Sequence, residues 1–381
     1  MGSLERRHFL AGVGLPATLA FASSATGAQS QEGPVPLFDG RTLAGWVIEE
    51  GPESSFYVEN GAIVAHSSVS SPTWLRSERQ YENFDLTGEF FIKGWMDSGV
   101  CFHAPEHGRI TQTGLQMKVF ANPDAAPAPH STGAIFPVVA PRKINVRQGW
   151  NDFRILMDWP QLQVWTNGEL IHDFDVESVA ELRYRLRRGY FGLTSTSYPC
   201  PFRNLKVREL PSKERWVTLY EDAGDVANWV VTQGTPHLEA LGKVLRADGQ
   251  GDFGTRESFR DFELHMYVRG CRAHNGGVQF RCVGEGAKRK LYEIQLHDVE
   301  EAHFPTGSLY YYKRAIYPRI EPEKWFFLQL VVKDRYCMVR VNGDTILEYD
   351  KLDHLEEGRI EMQAHSLGRW LEYKHVRIKR I

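Results

Sequence analysis

A chain of 381 residues exceeds what one hydrophobic core normally serves, which favours two domains of ordinary size. Its formal charge of −3, with no long Lys/Arg run in either half, gives no footing for a phosphate backbone and excludes nucleic acid as a partner. Ten Trp and fifteen Tyr suit sheet faces and equally suit stacking on a neutral saccharide, so composition does not choose between the two.

The chain opens with Arg6-Arg7 ahead of Phe9-Leu10, an apolar stretch from Ala11 to Ala22, and small residues around Ala25 to Ala28. This resembles a twin-arginine export signal over residues 1–30, with the mature protein beginning near Gln29. Gly12, Gly14 and Pro16 argue against an amphipathic first helix, and the stretch is too short to span a bilayer. No later segment is apolar for long enough to insert in a membrane, so the expected location is periplasmic or secreted.

Beyond the signal the chain repeats itself. Leu37-Phe38-Asp39 through Gly45-Trp46 answers Leu219-Tyr220-Glu221 through Asn228-Trp229, and Phe84-Asp85-Leu86 answers Phe262-Glu263-Leu264. Gly99-Val100-Cys101-Phe102 answers Gly277-Val278-Gln279-Phe280, Thr132-Gly133 answers Thr306-Gly307, Trp150 answers Trp325, and Asn167-Gly168 answers Asn342-Gly343. Ordered anchors of this kind are the signature of duplication. They predict domains over 33–210 and 215–381, joined by a connector near Leu210-Pro211-Ser212-Lys213.

Within each copy the apolar period is two. Phe326 to Val332, Tyr336 to Val341 and Thr345 to Tyr349 read as three strands, the last two joined at Asn342-Gly343, and Phe153 to Phe174 repeats the pattern around Asn167-Gly168. Gly, Pro and Asn interrupt every helical window, so the class is all-β, as two tandem concanavalin-like jelly-roll sandwiches. The five Cys form no Cys-x-x-Cys pair, which argues against a zinc or redox motif. Cys271 and Cys282 flank an apparent hairpin and are the one pair considered for a bridge, although buried thiols are the favoured reading.

The motifs LFDGRTLAGW, SGVCFH, GGVQFR, YEIQLHD, TGSLY, VNG, IEMQAH and FRNLKV, in that setting, resemble the bacterial 3-keto-disaccharide hydrolase family from about Pro36 to Ile381. The resemblance implies an enzyme, a hydrolase or lyase that cleaves the glycosidic bond of 3-keto-glycosides by elimination and hydration. A 3-keto group acidifies the C2 proton, so such a site needs a base near C2, a donor or metal at the developing enolate oxygen and an acid for the leaving oxygen.

The second copy is the better equipped. Alternation puts Glu293 and Gln295 on one face of their strand, with Arg281, Asp298, Tyr310, Gln363 and His365 nearby in sequence or motif. The resemblance implies catalytic roles for Glu293, His365 and Arg281, and substrate binding by Gln295, Tyr310, Gln363 and Asp298. Copy one carries Gln116, Lys118 and His103 at the Glu293, Gln295 and Arg281 positions, so its site reads as degenerate; a site completed across the interface stays open. Structural alternatives are an Arg281–Glu293 ion pair, a core His365, a Gln295 cross-strand hydrogen bond, and an Asp298 turn cap. No cofactor is certain; a divalent metal held among His274, His297, His303, Asp298 and Glu300 is left open, since their spacing matches no ligand motif. The rival functions are a non-catalytic, lectin-like carbohydrate-binding protein and a structural module. A two-carboxylate glycosidase is disfavoured by the lack of a Glu-x-Asp-x-x-Glu pattern.

Overall fold

The computed structural model describes residues 33–49, 51–66, 73–120, 126–195 and 199–381. The twin-arginine segment lies outside the described residues. Among those described, no helix is long and apolar enough to cross a membrane.

Strand formation follows the period-two pattern. In Asn83–Ile92, Phe84, Leu86, Phe90 and Ile92 are buried while Asp85, Thr87 and Glu89 point outward. The two Asn-Gly hairpins close as expected, with φ of 48° and 75° at Asn167 and Gly168 and of 48° and 89° at Asn342 and Gly343, the positive pair that such a turn requires.

Each copy folds as a jelly-roll-type sandwich of two antiparallel sheets, and the strand order is the same in both. The first copy's front sheet runs Trp46–Glu49, Trp74–Tyr81, Gly189–Ser195, Asp97–Ala104, Leu115–Phe120. The second copy's runs Trp229–Leu241, Val244–Phe259, Gly358–Ala364, Asn275–Val283, Lys290–His297. The back sheets match likewise, around Gly149–Asp158, Asn83–Ile92 and Phe202–Leu210 in one and Phe326–Lys333, Phe262–Gly270 and Leu371–Arg380 in the other. The difference is continuity. In the second copy Val244–Phe259 pairs first with Leu371–Arg380 and then with Gly358–Ala364, so it crosses from back sheet to front sheet unbroken. Separate cores fill the sandwiches, one drawn from residues between Phe38 and Val207, the other from residues between Leu219 and Ile378.

The copies meet through the second copy's back sheet. Glu263 accepts from Arg187 at 2.5 Å and lies 2.7 Å from His265 Nε2, all three buried. Tyr267 Oη accepts from the Glu106 amide at 2.8 Å, Lys374 pairs with Glu106 at 2.9 Å, and His107 stacks on Trp325. Among the described residues, these contacts fall on or beside the back sheet.

All five thiols are free, so the Cys271–Cys282 bridge does not form. Cys271 precedes the extended strand Asn275–Val283, and Cys282 lies near its far end. Even the stretch from Asn275 to Cys282 spans roughly 23 Å at strand rise, far beyond disulfide reach.

Candidate active site

The outer face of the second front sheet collects polar side chains because alternate residues go to the core. Along Lys290–His297, Tyr292, Ile294 and Leu296 turn inward, leaving Leu291, Glu293 and Gln295 outside. Ile360 and Met362 turn inward on Gly358–Ala364, leaving Glu361 and Gln363; Phe253 and Val278 do the same beside Asp252 and Gln279. The register sets Gln279 directly between Glu293 and Glu361, and Asp252 opposite Gln363. Two glycines make room. A Cβ on Gly277 would strike the Glu293 carboxylate, and one on Gly254 would lie 2.7 Å from Glu361 Cγ.

Arg289, from the turn ahead of the Glu293 strand, reaches across this face. It donates to Asp252 Oδ2 at 2.7 Å, Glu361 Oε2 at 2.6 Å and Gln279 Oε1 at 2.9 Å, and it also contacts Gln233. Thr232 Oγ1 donates to the same Glu361 oxygen at 2.7 Å. The result is a hollow of about 370 Å³, lined also by Gln250, Leu291, Glu293, Gln363 and His365. A larger hollow of about 950 Å³ lies at the junction of the copies, with Glu181, Asp344 and Glu348 in its lining.

Of the three carboxylates on this face, Asp252 and Glu361 share one guanidinium and Glu293 is left over. It is 8% exposed, and its side-chain partner is the Gln279 amide at 3.4 Å. Burial pushes its carboxyl up to about 7; the Asp252 charge adds to the rise, while Gln279 and Arg289 offset part of it. A carboxyl that exchanges its proton near neutral pH, at the wall of a polar hollow, is suited to general acid or base work.

Of the residues expected from sequence, Glu293, Gln363 and His365 line this hollow. His365 is exposed at the rim, with Nδ1 3.0 Å from Ser366 Oγ. Tyr310 lies on the neighbouring segment, its amide donating to the Glu293 carbonyl at 2.9 Å. Gln295 shares Glu293's face but not the hollow's lining, and its amide donates to Asn275 Oδ1 at 2.6 Å.

Arg281 and Asp298 are corrections. Arg281 sits in a bulge at φ 52°, fully buried, and donates to the carbonyls of Arg260, His354 and Asp334 and to Asp261 Oδ1, at 2.8 to 3.2 Å. Its counterpart His103 has φ 47°, is equally buried, and contacts the Glu82 carbonyl at 2.6 Å, the position equivalent to Arg260. Both copies therefore staple the same turn from the same bulge, and neither side chain reaches the hollow; the alternative Arg281–Glu293 ion pair is likewise absent, since Arg281 pairs with Asp261. Asp298 folds away to accept from the Ala273 amide at 3.0 Å, beside buried His274. The histidines and acids of 274–303 do not converge either: among the described residues no three His, Cys, Asp or Glu side chains gather as metal ligands.

Asp252, Glu361, Gln279 and Arg289 were missed. Glu361 was within reach, since it stands two residues before Gln363 on the same face. Arg289 carries no motif, because it acts from a turn across three strands.

The first copy has lost the hollow by filling it. Matching registers put Trp74 where the second copy has Asp252, Gly192 for Glu361, Cys101 for Gln279 and Gln116 for Glu293. The Trp74 indole lies over Gly192, 2.5 Å from where a Cβ would stand, and packs with Cys101, Ala104 and Tyr190. Every residue lining the second copy's hollow comes from that copy, so the site is not completed across the interface.

The 3-keto-alpha-glucoside-1,2-lyase-like domain matches the chain twice, over residues 33–208 and 213–379. No curated protein matches. Among solved structures, a Parabacteroides distasonis protein provisionally assigned as a glycosyl hydrolase is 20% identical with a TM-score of 0.41, covering 47% of this chain and 95% of that one. A Bacillus subtilis protein of unknown function with a galectin-like fold is 17% identical with a TM-score of 0.36, covering 44% of this chain and 97% of that one. A carbohydrate-binding module from Bacillus subtilis is 13% identical with a TM-score of 0.29, covering 40% of this chain and 95% of that one. With both copies matched, the chain belongs to the 3-keto-alpha-glucoside-1,2-lyase-like domain family.

Proposed function

We propose that the second copy cleaves the glycosidic bond of 3-keto-glycosides, with Glu293 moving the C2 proton. Family membership supports a carbohydrate-active protein, and the observation that carries the finer reading is the leftover carboxyl of Glu293, held near neutrality beside an arginine already neutralised by Asp252 and Glu361. In the ionised form Glu293 takes the proton from C2, and the C–H electrons form the C2–C3 enolate. Collapse of the enolate restores the 3-keto group, forms the C1–C2 double bond and expels the C1 oxygen, which leaves as an alcohol once protonated. Water then adds across C1–C2, so the net change is hydrolysis. Gln363 and His365, on the same wall, supply donors for the enolate oxygen in this reading.

The test is incubation of the protein with methyl 3-keto-glucoside, following methanol release. Glu293→Gln is expected to lower turnover by about 10² or more. Unchanged turnover removes Glu293 from the mechanism, and saturable binding of unoxidised glycans with no product favours the lectin-like rival. Export by the twin-arginine route is proposed from Arg6-Arg7 alone; retention in the cytoplasm after changing both to Lys would support it, and unaltered export would refute it.

A further inference from the structure

Residues after the Glu293 strand return alongside it as an added edge. The Gln295 amide donates to the Ser308 carbonyl at 2.9 Å, the Gly307 amide to the Gln295 carbonyl at 2.8 Å, and the Tyr310 amide to the Glu293 carbonyl at 2.9 Å. Ile294 and Leu309 pair and are both fully buried, so Tyr310 emerges on the face that carries Glu293.

Next to it, Tyr311 combines two unfavourable features. Its φ is 66°, a left-handed conformation that side chains with a Cβ disfavour and that aromatic residues seldom adopt. It is also 79% exposed, so burial of the ring does not offset the strain. The ring stands 4.2 Å from that of Tyr310 and 6.2 Å from that of Phe304, with Phe304 and Tyr310 at 5.2 Å. Three aromatic rings are therefore clustered beside the Glu293 hollow with one held out to solvent. The first copy, whose hollow is filled, has Phe136 and Pro137 at these positions and displays no such ring. Strain kept by a ring that stays mostly in solvent points to a ligand.

We propose that Tyr311, supported by Tyr310 and Phe304, is a stacking platform for the leaving-group sugar of a disaccharide substrate, meeting the C–H face of that pyranose while the oxidised ring occupies the Glu293 hollow. This rests on the reading of that hollow as glycoside-cleaving. Aromatic stacking supplies binding without a charged partner, which fits a neutral sugar.

The test compares kcat/KM for a 3-keto-disaccharide with kcat/KM for methyl 3-keto-glucoside, in the unaltered protein, in Tyr311→Gly and in Tyr311→Phe. Tyr311→Gly deletes the ring while suiting the backbone, so the ratio of the two constants is expected to fall about five- to tenfold while the melting temperature holds or rises. Tyr311→Phe is expected to keep the ratio. A ratio unmoved in Tyr311→Gly, or a lowered melting temperature that marks the ring as a packing group, would overturn the proposal. Should the unaltered protein cleave neither compound, the catalytic reading fails by itself. Calorimetric affinity for the disaccharide over the methyl glycoside, in the same three proteins, then decides the platform.

Discussion

Replacing Glu293 by Gln separates the function of this carboxyl from its effect on stability. Its ordinary value is 4.5 and burial lifts it to about 7, so the native state holds the proton more tightly than the unfolded chain does. The contribution of Glu293 to native stability is therefore full below about pH 4.5 and is lost as pH rises from there through 7, where the buried group must ionise. The shift corresponds to at most about 3 kcal/mol. Glutamine has nearly the shape of the protonated acid and cannot ionise, and it can still accept from the Gln279 amide. Glu293→Gln should thus be close to neutral at pH 4.5 and more stable than the unaltered protein by about 2–3 kcal/mol at pH 8, while losing turnover. Urea titrations of both proteins at the two pH values measure this directly, because every other titrating group cancels in the comparison. A stability difference that is the same at both pH values would refute the assignment of a raised carboxyl to this position.

The remaining predictions follow from neighbouring residues. Arg289→Met leaves Asp252 and Glu361 without their shared cation and removes a charge that holds Glu293 down, so the acid limb of the kcat/KM profile should move to higher pH; a limb that stays or moves lower contradicts the shared-cation geometry. Arg281→Leu should cost about 3 kcal/mol or more in urea denaturation by stranding Asp261 and three carbonyls, and Arg281→His should recover part of the loss; equal costs would reject the common turn-stapling role of Arg281 and His103. Trp74→Ala should cost about 3–5 kcal/mol by emptying the first copy's filled hollow, with turnover kept within about twofold; a cost below about 1 kcal/mol would mean the indole is not the plug described.

The fold was legible because period-two alternation and the repeated Asn-Gly hairpins are local signals, and the duplication doubled each of them. Glu293 was legible for the same reason, since one strand shows which side chains share a face. Arg281 misled because it follows an inward–outward pattern that a bulge interrupts: the register shift after Phe280 turns it from the outer face into the packing beneath the turn. No composition rule marks that residue as displaced. Asp252 and Arg289 were illegible for a different reason. They meet Glu361 only because Val244–Phe259, Gly358–Ala364, Asn275–Val283 and Lys290–His297 lie side by side, a neighbourhood set by strand order and not by sequence distance.

The two copies put one scaffold to opposite uses. Where the second keeps Asp252, Glu361 and Gln279 around a leftover carboxyl, the first carries Trp74, Gly192 and Cys101, which close the same volume with apolar packing. A hollow lined by partly compensated carboxylates is a local cost to stability, as the raised carboxyl of Glu293 indicates, and a filled one is a gain. The first copy also contributes Arg187, Glu106 and His107 to the junction against the second copy's back sheet. In this arrangement the first copy packs against the back sheet, on the side of the second sandwich opposite the Glu293 hollow, so the face that carries the cost is not the face that carries the junction.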